Sequence, residues 1–179
     1  GFWFAWKTGK RNRVLIVTKK DSMESNTNYA QGGIAAAVGE NDSPQLHYED
    51  TIRVGAGLAH PDIVKMVTES GPRLVRELWE IGIRFSARLN SDGNLRFDLG
   101  KEGGHRRHRI IHAKDATGQE IERKLLAAVR SLSNVTILEQ HFATDLIINE
   151  NGTCAGAIVL EKSTGKIKMI KARATLLAT

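Results

Sequence analysis

Two stretches of this 179-residue sequence concentrate side chains capable of chemistry, and a third stands close behind them. The first is residues 24–33 (ESNTNYAQGG). Ser25, Asn26 and Thr27 set hydroxyl and amide groups in a row, suited to phosphate or to polar ring atoms. Gln31 adds an amide, and Gly32 and Gly33 leave bare backbone for a close approach. An ordinary polar turn ahead of a helix uses the same residue types, so both readings stand. The second is residues 102–111 (EGGHRRHRII), where Glu102 and two glycines precede a basic run. Alone, Glu102 reads equally as a solvated loop carboxylate. The third is residues 112–122 (HAKDATGQEIE), in which Asp115 and Thr117 read as helix-capping residues.

Other reactive types are less promising. His47, Glu49 and Asp50 share a predicted helix without a metal-ligand spacing, and His60 sits beside Pro61; all four read as structural. Cys154 is the single cysteine, beside a turn with no neighbouring His or acid to activate it. The run His105-Arg106-Arg107-His108-Arg109 lacks interleaved aromatics, so a solvated loop, or one packed on acidic neighbours, is expected over a nucleic-acid patch.

These residues need elements to position them. Residues 2–7 read as the end of a helix with a stop at 8–10, followed by a buried parallel strand at 13–18 (RVLIVT). A helix is expected to start after Gly33. Residues 47–54 read as helical, and 61–81 as two helices, with Pro61 and Pro72 in their first turns and Gly82 as the stop. Residues 85–104 read as irregular around the turn Asn90-Ser91-Asp92-Gly93. Residues 115–132 carry the clearest helix, with Thr117 and Glu120 at capping-box spacing and an apolar stripe at Ile121, Leu125, Val129 and Leu132. Strands are expected at 135–138, 143–148, 155–161, 166–171 and 174–178, the middle three forming an antiparallel meander through turns at Asn151-Gly152 and Thr164-Gly165.

The element order predicts an α/β fold: a partial Rossmann-like domain, with a parallel sheet and helices, plus a small antiparallel β-meander. The expected organisation is one incomplete domain over 1–179: helix, strand and loop in 1–40, a mostly helical insert in 41–112, and helix, strands and meander in 113–179. A net charge of +6 with 26% charged and 41% hydrophobic residues is that of an ordinary soluble domain. No apolar run approaches the roughly 18 residues of a membrane span. The opening apolar stretch is too short for a signal peptide. With one cysteine, a reducing, cytoplasmic setting is expected. Neither membrane nor nucleic acid is expected as a partner.

The three quoted segments, in this order, resemble the succinate dehydrogenase and fumarate reductase flavoprotein family, and within it the L-aspartate oxidase branch. The resemblance runs along the whole chain. It implies an FAD-binding domain, with Ser25, Asn26, Thr27, Tyr29, Ala30, Gln31, Gly32 and Gly33 against the cofactor, joined by Gly1 and Ala143. In succinate dehydrogenases the residue before the loop threonine is a histidine that attaches FAD covalently; Asn26 stands there, implying non-covalent FAD. Glu102 matches the glutamate that helps place the substrate, where a carboxylate suits an ammonium that succinate lacks. His105 follows it as a weaker candidate.

The resemblance further implies FAD-dependent oxidation of L-aspartate to iminoaspartate with oxygen or fumarate as acceptor. L-aspartate and other small dicarboxylates are then the ligands, and quinolinate synthase follows on the way to NAD. A fumarate reductase or succinate dehydrogenase flavoprotein, or a non-catalytic fragment, is the alternative. No metal is expected. The family's G-x-G-x-x-G is represented only by Gly1, at its third glycine, and the capping domain that supplies the family's substrate-binding arginines and histidines is expected to be absent, leaving this stretch inactive alone. Phe2, Trp3 and Trp6 are bulkier than a helix packed close to a sheet calls for.

Overall fold

Short β-branched runs become strands and amphipathic runs become helices. The computed structural model describes residues 1–114 and 116–178. They fall into two compact units, residues 1–25 with 125–179, and residues 26–124.

In the first unit, α1 (Phe2–Gly9) leads into β1 (Val14–Val17). β1 pairs in parallel with β7 (Val135–Leu138), Val14 opposite Val135 and Val17 opposite Leu138. Gly9 is fixed by packing: a Cβ there would lie 2.4 Å from Val135 Cγ2. Trp3 and Trp6 stand half-buried with ring centroids 5.4 Å apart, and Lys10 Nζ lies 3.9 Å from the Trp6 ring. The bulky indoles are thus held beside lysines. β1 is less buried than its apolar run predicts, Leu15 being 39% exposed. β7 is its one strand partner among the described residues, so a face stays open.

Leu125, Leu126 and Val129 of α5 (Thr117–Arg130) join Ala5 and Val159 in this unit's core. The meander forms as expected from β8 (His141–Ile148), β9 (Cys154–Glu161) and β10 (Ile167–Lys171), with β9 central. Asn149 Oδ1 accepts from the amides of Asn151 and Thr153 across the first turn. Within β9, Gly156 has φ +146°, and a Cβ would sit 2.0 Å from Ile170 O. Residues 174–178 form no strand, contrary to expectation. The last ladder bond, Ala172 N to Ala155 O, precedes them, and no described strand pairs with them.

The second unit contains α2 (Asn26–Tyr29), β2 (Ile34–Ala35), α3 (Pro44–Val54), α4 (Pro61–Glu80), the hairpin β3 (Ala87–Leu89) and β4 (Leu95–Phe97), β5 (Leu99–Gly100) and β6 (Ile110–Ile111). A small antiparallel sheet runs β2-β6-β5. The helix expected after Gly33 is replaced by β2, because Ile34 and Ala35 pair with Ile111 and Ile110. α3 starts as its sequence dictates: Ser43 Oγ accepts from Leu46 N at 3.1 Å, and Pro44 opens the first turn.

α4 corrects the two-helix expectation. It runs unbroken through Pro72. The proline forfeits one helical hydrogen bond, but Thr68 and Val75 stay buried on either side, and Gly71 lets the helix close on Ala36. Packing outweighs the local penalty. Trp79, Phe85 and Phe97 form an edge-to-face cluster (5.5 and 6.1 Å) beside buried Ile83 and Ile111.

Candidate functional site

The hydroxyl–amide loop is shaped by one turn of helix and pinned from its far side in sequence. Ala30 N donates to Thr27 O, closing α2. Gly118 N then donates to Ala30 O (2.9 Å), and Thr117 Oγ1 donates to Gly32 O (3.0 Å). A Cβ on Gly118 would lie 1.7 Å from Thr27 O, so only glycine fits. Thr117 therefore does not cap its helix as expected. Its hydroxyl accepts from Ala113 N and donates to Gly32 O, while Glu120 accepts from Arg84 N and pairs with Arg123. The predicted capping box is replaced by tertiary bonds. Asp115 lies outside the described residues.

Asn26, Thr27, Tyr29, Ala30, Gln31, Gly32 and Gly33 are all exposed. Asn28, Tyr29, Ala30 and Gln31 line a shallow cleft of about 90 Å³ with Ala116 and Gln119. The two glycines differ. At Gly33 a Cβ would meet Ile111 O at 2.5 Å, so its close approach is to the chain's own β6. At Gly32 the nearest atom to an added Cβ is Glu102 Oε1, at 4.0 Å. The second motif's carboxylate thus stands beside the first motif's open glycine.

Glu102 begins a turn closed by His105 N donating to Glu102 O, with Gly104 at φ +86°. The turn is tied to α3. Arg53 NH2 donates to Gly104 O (2.9 Å), and Arg106 N donates to Asp50 Oδ2 (2.9 Å). Arg106 Nε reaches Asp50 Oδ1 (2.6 Å), and its NH2 reaches Glu49 (2.7 Å). Beneath lies Arg109, 0% exposed. Its Nε and NH2 grip Asp42 at 2.9 and 2.8 Å, and its NH1 is 3.1 Å from Asp50. The basic run is thus largely a loop packed on acidic neighbours, with Arg107 and His108 left exposed.

The electrostatics follow from this packing. Burial would raise the Asp50 pKa, but the hydrogen bonds and charge of Arg106, with the charge of Arg109, outweigh it and hold the group at about 2. Glu49 is lowered by hydrogen bonds from Arg106 and Gln45. His47 is lowered by burial first, then by Arg109 and His105, and its Nδ1 has no partner among the described residues. A neutral imidazole suits that place. His105 is half-buried, edge-on to His47 at 5.7 Å and 3.4 Å from Arg109 NH1. Sequence reading took Asp50 and His47 as structural and missed Asp42. Its only cue was an acid ahead of a helix start, and nothing local pointed to a partner 67 residues away.

Gly1, Ser25 and Ala143 belong to the other unit. Gly1 precedes α1 with no atom within 4 Å of an added Cβ; Ser25 is half-buried; Ala143 is exposed beside a β-bulge in β8. Cys154 Sγ donates to Gly156 O, and among the described residues no acid or histidine acts on its thiol. Among the described residues no His, Cys, Asp and Glu cluster could hold a metal, and no helix is long and apolar enough to cross a membrane.

Known proteins agree with this architecture. Residues 4–179 match the FAD binding domain family. The chain is 40% identical over its whole length to L-aspartate oxidase 2-b, chloroplastic, of Nicotiana tabacum and spans 28% of that protein. It is 38% identical, again over its whole length, to L-aspartate oxidase 1 of Ralstonia nicotianae, spanning 34%. Among solved structures, a quinol fumarate reductase of E. coli superposes with a TM-score of 0.87 at 25% identity, over 97% of this chain and 29% of that one. The Sdh1 complex of Mycobacterium smegmatis gives 0.85 at 30% identity, over 95% and 31%. The chain therefore spans about a third or less of the proteins it resembles. With the Rossmann-type elements, the pinned polar loop and a match from residue 4 to residue 179, the chain belongs to the FAD binding domain family, whose cofactor is FAD.

Proposed function

We propose that this chain serves in the oxidation of L-aspartate to iminoaspartate, as the FAD-binding portion of an L-aspartate oxidase. The observation that carries the reading is the Glu102 carboxylate, 4.0 Å from where a Gly32 side chain would begin. The loop is exposed, bare at Gly32 and rich in hydroxyl and amide groups, which fits the edge of a flavin. The 90 Å³ cleft is far smaller than the roughly 300–1,000 Å³ of an enclosed ligand site. The loop therefore acts as a wall and not as a chamber. Bound FAD would supply the two-electron acceptor for oxidation at the substrate α-carbon.

The chain's own residues bind and orient. The Glu102 carboxylate attracts the α-ammonium of aspartate and repels a plain dicarboxylate such as succinate. Ser25, Thr27 and Gln31 supply polar contacts to the cofactor, as the family resemblance implies, and the pinning of Ala30 and Gly32 by Gly118 and Thr117 keeps the loop in shape. Asn26, in place of a nucleophilic histidine, leaves FAD non-covalent. The product passes to a quinolinate-forming step on the way to NAD.

The test is Glu102→Gln in the complete flavoprotein. We expect kcat/KM for aspartate to fall about 10- to 100-fold, as for a charged hydrogen bond worth ~1.5–3 kcal/mol, without an equal loss for succinate. Acid precipitation of the same preparation releases its flavin. Equal losses on both substrates, or succinate oxidised better than aspartate by the unmutated protein, would favour the fumarate reductase or succinate dehydrogenase reading. Flavin retained in the pellet would overturn non-covalent attachment.

A further inference from the structure

We infer that Asp50 is a positioning residue for Glu102, holding the substrate-facing carboxylate in place through the arginines of the loop behind it. The inference rests on the reading of Glu102 given above. Asp50 is 1% exposed and lies on α3, and among the described residues it makes no hydrogen bond or ion pair with the hydroxyl–amide loop or Glu102. Yet its two oxygens gather three hydrogen-bond donors and one further guanidinium. Oδ2 accepts from the Arg106 amide (2.9 Å) and forms an ion pair with Arg109 NH1 (3.1 Å); Oδ1 accepts from Arg106 Nε (2.6 Å) and Arg53 NH2 (3.1 Å). Arg53 extends the hold to Gly104 O.

The loop from Lys101 to His108 is thus fixed at three points. Its neck is closed by Gly100 pairing with Ile110 and by Arg109 N donating to Gly100 O. Its underside rests on the Arg109–Asp42 pair. Its tip, two residues beyond Glu102, is tied to α3 by Arg53, and by Val54 Cγ2 standing 2.9 Å from where a Gly104 Cβ would lie. Glu102 itself has an exposed side chain on a diglycine turn, and its backbone carbonyl accepts from His105 at 3.3 Å. Two glycines beside an exposed carboxylate leave its direction to whatever grips the chain beyond them. Asp50 grips it at the amide of Arg106, four residues past Glu102. A charge that must meet an ammonium in one place gains from such a fixed base.

A double-mutant cycle in the complete flavoprotein tests this. Asp50→Asn is the direct variant; Arg106→Ala, at a half-exposed side chain, serves if Asp50→Asn does not fold. We expect either change to raise the aspartate KM about 10-fold while kcat shifts less than about 2-fold, and the KM effect to shrink to under about 2-fold in a Glu102→Gln background. Hydrogen exchange on the apo protein provides a readout free of turnover: amides 103–106 exchange faster in the variant, while those of the meander do not change. Additive effects in the cycle, or unchanged exchange at 103–106, overturn the positioning role and leave the Glu102 reading intact. If Glu102→Gln alone leaves aspartate handling unaltered, the Glu102 reading fails and the positioning role fails with it.

Discussion

The chain holds two basic stretches, residues 105–109 (HRRHR) and β10 (IKMIK), whose charges behave differently in the fold. In residues 105–109, Arg106 and Arg109 meet Glu49, Asp50 and Asp42, from 56 to 67 residues away, and Arg109 and both aspartates are out of water. In β10, Lys168 pairs with Glu161 of the adjacent strand at 3.2 Å, with 46% of the lysine side chain exposed. One stretch is a long-range clamp and the other a fringe on a local hairpin. Burial sets them apart, because an ion pair removed from water must be complete to be tolerated, while an exposed one is worth little.

The contrast can be broken most forcefully at Arg109. Arg109→Met leaves Asp42 buried without its guanidinium and takes one of three from Asp50, and we expect a loss of about 3–5 kcal/mol in urea unfolding. A loss no larger than that of a surface substitution would mean the clamp is not what holds residues 26–124 together. A middle-sized effect is expected at Gly118. Gly118→Ala drives a Cβ into Thr27 O, and overpacking of that kind costs about 1–3 kcal/mol. The variant should also bind FAD more weakly in the complete flavoprotein, measured by flavin fluorescence titration, because it displaces the loop. Lowered stability with unaltered FAD affinity would detach the Thr117–Gly118 pin from cofactor binding. At the small end, Lys168→Ala should leave the unfolding midpoint where it was. A measurable drop would show that the meander's surface charges are not the fringe they look like.

The sequence made some elements legible because their causes are local. Asn90–Gly93 turns the β3–β4 hairpin, and Asn151-Gly152 and Thr164-Gly165 space the meander, each through a side chain or a positive φ within a few residues; the helix expected at 47–54 starts earlier, at Pro44. The misreadings share an opposite origin. Pro72 reads as a helix start, yet packing at Ala36 carries α4 through it. Ile34-Ala35 follows small residues that suggest a helix, yet Ile110-Ile111 recruits it as a strand. Thr117 and Glu120 have the spacing of a local cap, yet each satisfies a partner elsewhere: Gly32 O for one, Arg84 N for the other. A strand at 174–178 needs a neighbour that the described residues do not provide.

The candidate site divides the same way. By itself the sequence determined its chemistry: which residues carry hydroxyls, amides and a carboxylate, that two glycines leave backbone bare, and that Asn26 offers no nucleophile where a histidine would. Those are properties of side chains and need no fold. Tertiary structure alone decided that Glu102 stands next to Gly32 and not next to Gly33, that Gly118 is obligatory because Thr27 O fills its side-chain space, and that Asp42, Asp50 and Arg109 form one buried unit. The physical reason is that burial and close approach are made by residues distant in the chain, and no window of sequence contains both sides of such a contact.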